Sequence, residues 1–249
     1  MRKNVFFVTG TDTGVGKTLV SALLVAALND AKVKVAVCKP VETGCDHDSG
    51  LGELLPQDGA LLNALNQNAQ ELSEVVPYRF KTPVAPAVAA ELERKALDTD
   101  FLEAHIAKLS SRSDIVIVEG AGGLLVPLAR NYSFADLAKR CGMQLLVVVA
   151  SKLGALNHAC LTFEVARSRG VAVFGYIFND LNHIQGESDS ALLTNSEALA
   201  ELAASYGVEE CCYLERLAEH PDLIQLRRLA QEPQIANLAL KLIEVARQS

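Results

Sequence analysis

Thr9-Gly10-Thr11-Asp12-Thr13-Gly14-Val15-Gly16-Lys17-Thr18 follows the apolar run Val5-Phe6-Phe7-Val8 and precedes a helical pattern from Leu19 to Leu28. The order is strand, glycine loop, helix. Glycines at 10, 14 and 16 let the backbone turn tightly enough for successive N–H groups to face one concavity, and the helix behind them adds the positive end of its dipole. Such a concavity holds phosphate oxygens. Lys17 is then expected against the outer phosphates of a nucleotide, with the Thr18 hydroxyl placed for the magnesium ion that bridges them. An ordinary glycine turn is the competing explanation, and Gly-Lys-Thr at a strand-to-helix junction argues against it. Five residues, not the usual four, separate Gly10 from Gly16. That spacing keeps the phosphate reading and sets the loop apart from the ordinary nucleotide-switch families.

Outward from the loop, apolar runs recur at 33–38, 114–119, 144–150 and 172–178, in addition to the first at 4–9. Each is apolar nearly throughout, the mark of strands covered on both faces. Helical patterns fill the intervals at 18–31, 58–68, 100–112, 133–140, 156–169 and 188–206, with a last one at 233–247. Strands alternating with helices through right-handed crossovers predict an α/β fold, a parallel sheet with helices on both faces, as a single domain over residues 1–249. Ligands in that architecture collect at the carboxyl ends of the strands. The residues that follow each strand are therefore the candidates for function.

The second strand ends in Lys39-Pro40-Val41-Glu42-Thr43-Gly44, where the proline stops the strand and the glycine allows a turn. Lys39 is directed to the same mouth as Lys17. A lysine at a strand end is commonly a solvated terminus, but its placement opposite a phosphate loop favours a functional role. Cys45 to Gln57 reads as a mobile loop, and Asp58 then opens a helix, either as its N-cap or as a ligand. After Ile115-Val116-Ile117-Val118 stands Glu119, with Gly120-Ala121-Gly122-Gly123 behind it. A carboxylate that ends an apolar strand must be paired or solvated. Magnesium would pair it, and Thr18, Asp58 and Glu119 make an all-oxygen set of the kind magnesium accepts. The fourth strand leads into Ser151-Lys152-Leu153-Gly154-Ala155-Leu156-Asn157-His158, the fifth into Asn179-Asp180. The Asn179 amide suits the edge of an adenine ring, and turn chemistry explains the Asn-Asp pair equally well.

Half of the 249 residues are hydrophobic and 21% are charged, enough for a full core. A net charge of −7 without a lysine or arginine cluster argues against nucleic acid or an anionic membrane surface and points to small-molecule partners. Met1-Arg2-Lys3-Asn4 leads at once into the first strand and no apolar run approaches membrane-spanning length, so a cytosolic protein without a signal peptide is expected. Cysteines at 38, 45, 141, 160, 211 and 212 show no C-x-x-C spacing, and the five histidines do not group. Free buried thiols are expected, not a metal centre built on cysteine and histidine.

Gly10–Thr18 (GTDTGVGKT), Cys38–Gly44 (CKPVETG), Gln57–Leu62 (QDGALL), Ile115–Leu128 (IVIVEGAGGLLVPL), Ser133–Asp136, Ser151–Ala159 (SKLGALNHA) and Phe178–Asp180 together resemble the dethiobiotin synthetase family. The match keeps that family's order and spacing over roughly residues 5–180. It implies a P-loop NTPase-like fold and an ATP-dependent cyclo-ligase: 7,8-diaminononanoate, carbon dioxide and ATP give dethiobiotin, ADP and phosphate, through a carbamate and a carbamic-phosphoric anhydride. By the same resemblance Lys39 and Lys17 are the catalytic lysines, and Thr18, Asp58 and Glu119 the magnesium ligands. The ATP site would take Gly14, Val15, Gly16, Lys17, Thr18 and Leu19 from the loop. Asp58, Glu119, Gly120, Ala121 and Gly122 would join it from the next strand ends, with Asn179, Asp180, Glu215, Arg216 and Leu217 on the base side. Thr13 and Thr43 would contact the diamine, Gly154 and Asn157 its tail carboxylate across a homodimer.

Two positions depart from the family pattern. Gly14 stands where some members carry a longer polar residue, a change that a nest of backbone N–H groups tolerates. At Leu214-Glu215-Arg216-Leu217 the pattern would have a glycine and a proline before the segment that runs here from Leu217 to Pro221. Arg216 either stacks on the base or lies in solvent, and weak discrimination among nucleoside triphosphates is the matching expectation. The alternative reading is a partner-regulated ATPase of the septum- or plasmid-positioning type. Those proteins carry an extra lysine early in the loop, where this chain has Thr11, Asp12 and Thr13, and a membrane-binding helix or basic surface, whereas 233–249 has no run of lysines. Amidoligases of the cobyrinate type share a similar loop but add a glutaminase domain, for which this length is not expected to leave space.

Overall fold

The computed structural model describes residues 4–47, 53–180, 189–215 and 221–248. Its centre is a parallel six-stranded sheet in the order Glu210–Leu214, Ala172–Asn179, Gln144–Ala150, Val5–Gly10, Ile115–Gly123, Val35–Cys38. The loop-bearing strand lies inside, with Phe7 opposite Leu145 on one side and Val118 on the other. All six of its residues are buried, as an unbroken apolar run requires.

Alternation along the strands sorts their side chains into two layers. Val5, Phe7, Val116, Val118, Leu145 and Val147 face one layer, and Phe6, Val8, Ile115, Ile117, Leu146 and Val148 the other. Helices Thr99–Arg112, Phe134–Cys141, Ala155–Arg169 and Asp189–Ser205 cover the first layer. Helices Lys17–Asp30, Gln57–Leu65 and Pro233–Arg247 cover the second.

The five expected strands are present, and a sixth, Glu210–Leu214, was not legible. Glu-Cys-Cys-Tyr-Leu carries none of the β-branched residues that mark the other strands, and at the sheet edge it buries only Cys212 and Leu214. The helix expected over 58–68 ends at Leu65, because Gln67 and Asn68 take positive φ values of 58° and 53°. The segment read as a mobile loop contains a ribbon, Asp46–His47 antiparallel to Leu54–Leu55, while 48–52 lie outside the described residues. Pro86–Leu92 and Leu223–Leu229 are helices too short to show a periodic pattern.

Val35–Cys38 forms one edge of the sheet. The Gln70 side chain closes it: Oε1 accepts from the Val37 N–H at 2.7 Å and Nε2 donates to the Val37 carbonyl at 3.1 Å. One amide thus replaces a neighbouring strand for one residue. Gln70→Ala leaves both main-chain groups without that partner and is expected to lower unfolding stability by about 2 kcal/mol. The readout is a lower urea midpoint at unchanged m value; an unmoved midpoint would mean that solvent serves those groups as well.

Candidate active site

The phosphate loop is shaped by close approach and by backbone handedness. A Cβ on Gly10 would lie 2.5 Å from Val15 Cγ2 and 2.8 Å from the Asp12 carbonyl oxygen, so only glycine fits there. Gly14 and Gly16 have φ of 72° and 92°, a region that costs other residues roughly 1–2 kcal/mol. Gly16 directly precedes helix Lys17–Asp30. Lys17 is buried and donates to the Asp12 carbonyl at 3.0 Å. Burial lowers its pKa, the Glu119 charge opposes that, and the Lys39 charge adds to it. The Asp12 carboxylate accepts from Lys152 Nζ at 3.1 Å and from the Thr13 N–H at 2.7 Å, which together hold its pKa below the usual carboxylate value. Asn179 at the end of the fifth strand donates from Nδ2 to the Val15 carbonyl at 2.8 Å. That amide therefore braces the loop from below.

Next to the loop, the second and third strands deliver opposite charges to one point. Lys39 Nζ donates to Glu119 Oε1 at 2.8 Å and to Asp58 Oδ2, and the Thr18 hydroxyl donates to the same Glu119 oxygen at 2.8 Å. Lys39 is 4% exposed and Glu119 0%. Burial alone would drive the proton off Lys39, but the Glu119 and Asp58 carboxylates outweigh it and raise its pKa. Lys39 thus remains an ammonium group. Glu119 Oε2 is buried with no hydrogen-bond partner.

Asp58 is not an N-cap, contrary to one of the two sequence readings. The helix begins at Gln57 with Pro56 as its N-cap, and no side chain of the helix caps it. The acceptor comes from elsewhere. Glu42, on the short strand Val41–Thr43, takes the Asp58 N–H on Oε1 and the Gly59 N–H on Oε2, both at 3.0 Å. With those amides satisfied, the Asp58 carboxylate is free to turn to Lys39.

These groups line one cavity of about 790 Å³ at the carboxyl ends of the strands. Of the residues expected from the sequence, Thr13, Gly14 and Gly16 to Leu19 line it, with Lys39, Thr43, Asp58 and Glu119 to Gly122. Val15 is buried behind the loop. Asn179, Asp180 and Glu215 sit at the ends of the fifth and sixth strands and do not line it; Arg216 and Leu217 lie outside the described residues. Gly154 and Asn157 are exposed at the start of helix Ala155–Arg169. The same helix borders, through His158, Leu161 and Thr162, a second recess of about 450 Å³ against Thr11–Thr13 and Gly123–Pro127.

An ATP-dependent dethiobiotin synthetase of Bacillus velezensis is 38% identical over 198 residues, 79% of this chain and 82% of that protein. This chain belongs to the dethiobiotin synthetase family. A second family member, from Anaeromyxobacter sp. strain Fw109-5, is 39% identical over 79% of this chain and 88% of its own length. A family model described as an AAA domain matches residues 4–229. Likeness of fold reaches further, to the cell division ATPase MinD of Pyrococcus furiosus, with a TM-score of 0.54 at 19% identity over 99% of both chains. A ParA family ATPase of Chlorobium tepidum superposes with a TM-score of 0.51 at 14% identity over 98% of this chain and 97% of its own. At such identities the likeness concerns the fold alone.

In this dethiobiotin synthetase family member the residues that sequence reasoning passed over are mainly apolar walls. Pro83–Pro86, Val126, Pro221 and Leu226 complete the cavity. Pro83-Val84-Ala85-Pro86 carried the one available signal, a turn-forming run close to the chemistry-bearing segments. Glu42 gave none, since a charged residue inside a three-residue strand has no periodicity to stand out from.

Proposed function

We propose that the protein closes the cyclic urea of dethiobiotin from 7,8-diaminononanoate, carbon dioxide and ATP. One amine nitrogen adds to carbon dioxide and releases a proton, giving a carbamate. A carbamate oxygen then attacks the γ-phosphorus and ADP leaves. The second amine attacks the carbamoyl carbon, phosphate departs, and a proton is lost as the ring closes. The difficult encounter is between two anions, and it needs concentrated positive charge in a site with little water.

The observation that carries this reading is the buried Lys39 ammonium, held by Glu119 and Asp58 beside the Lys17 loop in one cavity. Lys17 and the loop amides would hold the β- and γ-phosphates, and Lys39 would face the carbamate as it meets the γ-phosphate. Thr13 and Thr43 line the same cavity and would contact the diamine. The donor set also fits magnesium. Thr18, Asp58 and Glu119 are all oxygen donors, and the buried Glu119 Oε2 lacks a partner that an ion would supply. Among the described residues no three His, Cys, Asp or Glu side chains are arranged to hold a metal, so phosphate oxygens and water would complete its shell. When bound, the ion neutralises phosphate charge.

Gly154 and Asn157, exposed at a helix start, would take the tail carboxylate of the diamine bound to a second subunit, where the helix dipole favours an anion. The working form is then a homodimer, placed in the cytosol. No helix among the described residues is long and apolar enough to cross a membrane.

Incubation with diaminononanoate, bicarbonate and ATP is expected to give the cyclic urea by mass spectrometry, with one ADP per product and no ATP consumption when the diamine is omitted. ATP hydrolysis without the diamine, and no cyclic urea with it, would instead favour a partner-regulated ATPase.

A further inference from the structure

Glu42 is a buried carboxylate that lines the cavity, at 6% exposure, and the reaction above gives it no role. We propose that Glu42 is a positioning residue, clamping the first turn of helix Gln57–Leu65 so that the Asp58 carboxylate stays against Lys39. Its kinetic consequence rests on the ring-closure reading.

The second and third amides of a helix are normally taken by the side chain of its own N-cap. Here the N-cap is Pro56, and Glu42 takes both amides in its place from a separate strand, one on each oxygen. The negative charge also suits the positive end of the nine-residue helix. Gly59 lets the helix start pack against Val76, since a Cβ there would lie 2.0 Å from Val76 Cγ2, while its 3.5 Å to Glu42 Oε2 would be ordinary contact. The strand that carries Glu42 is fixed in turn by pairing with Tyr78–Phe80, Glu42 opposite Arg79.

Lys39 and Glu42 lie three residues apart, on either side of Pro40, and Asp58 contacts the first through its side chain and the second through its main chain. Strand end, short strand and helix start thus form a closed triangle. Loosening its Glu42 corner lets Asp58 drift, and Lys39 loses one of the two carboxylates that fix its ammonium. The clamp touches neither the phosphate loop nor Thr43's hydroxyl, so affinity for the diamine should be spared, while any effect on ATP would come through Asp58, a proposed magnesium ligand.

Glu42→Gln tests this. The amide oxygen can accept from one N–H, while its NH₂ group meets the other donor to donor. For a positioning role the expected result is a kcat about tenfold lower with the KM for the diamine within about twofold of wild type. The loss should largely vanish in an Asp58→Asn background, since residues acting through one another are not additive. In the substrate-free protein, hydrogen exchange at the Asp58 and Gly59 amides should accelerate while helix Thr99–Arg112 keeps its protection. Glu42→Asp, which keeps the charge but loses reach, should behave alike and serves if the glutamine variant folds poorly. Wild-type kcat, additive losses with Asp58→Asn, or unchanged exchange at the two amides would each overturn the clamp. If the wild type forms no cyclic urea, the ring-closure reading falls, and the exchange measurement alone still decides the clamp.

Discussion

Lys39→Ala is expected to lower kcat for ring closure by roughly a thousandfold, the size seen when one preorganised charge-stabilising donor is removed, while ATP binding stays measurable. The two effects separate because different elements carry them. Nucleotide phosphates would be held by the loop amides and Lys17, which the substitution leaves in place. In the proposed reaction the carbamate and the γ-phosphate would repel one another where Lys39 follows the second strand, and no other described lysine than Lys17 lines the cavity. Removing the ammonium also leaves Glu119, fully buried, beside Asp58 with like charge, and losing one partner of a buried pair costs about 3–5 kcal/mol. Lys39→Gln controls for this, since its NH₂ can still bond a carboxylate. It should unfold closer to wild type and remain as slow. Single-turnover ring closure and calorimetric ATP titration are the measurements. Near-normal turnover in the glutamine variant would remove Lys39 from its assigned role.

Gly10→Ala is expected to weaken ATP binding by up to about a hundredfold, since overpacking costs roughly 1–3 kcal/mol and each 1.4 kcal/mol is tenfold in affinity. The added methyl would meet Val15 Cγ2 at 2.5 Å and the Asp12 carbonyl at 2.8 Å. Neither can retreat cheaply. Val15 is buried and its carbonyl is held by Asn179, while the Asp12 carbonyl is held by Lys17. Gly14→Ala makes the informative contrast, because a Cβ there has nothing within 4 Å. Only the left-handed backbone opposes it, so its loss should be the smaller one. Equal losses by calorimetry would mean that handedness and not crowding shapes the loop.

Much of this site could be read from the chain because its chemistry sits directly after apolar strands. Once Val5–Val8 and Ile115–Val118 are taken as buried parallel strands, the loop and Glu119 must share one rim. Lys39 follows by the same logic, and the structure joins it to Glu119 directly. Illegible from sequence were the contacts made by folding distant segments together. The Glu42 carboxylate caps a helix that begins fifteen residues later, and capping rules are written for neighbours along the chain, so a cap stood beside metal ligation as a reading of Asp58, and Asp58 does not make it. The Asn179 Nδ2 goes to the Val15 carbonyl, a pairing across 164 residues that no local pattern encodes. The sixth strand escaped for a different reason: it carries no β-branched residue and sits at the sheet edge with only Cys212 and Leu214 buried.

The inner position of Val5–Gly10 has a bearing on biosynthesis. Val5–Gly10 pairs with Ile115–Gly123 and Gln144–Ala150, far downstream, and its loop is propped by Asn179. A nascent chain must therefore reach Ile115–Gly123 before that segment finds a partner, and non-local closures of this kind fold slowly. Nucleotide can stabilise only the nearly finished product, and until then an exposed Val5-Phe6-Phe7-Val8 is a natural target for chaperones during translation.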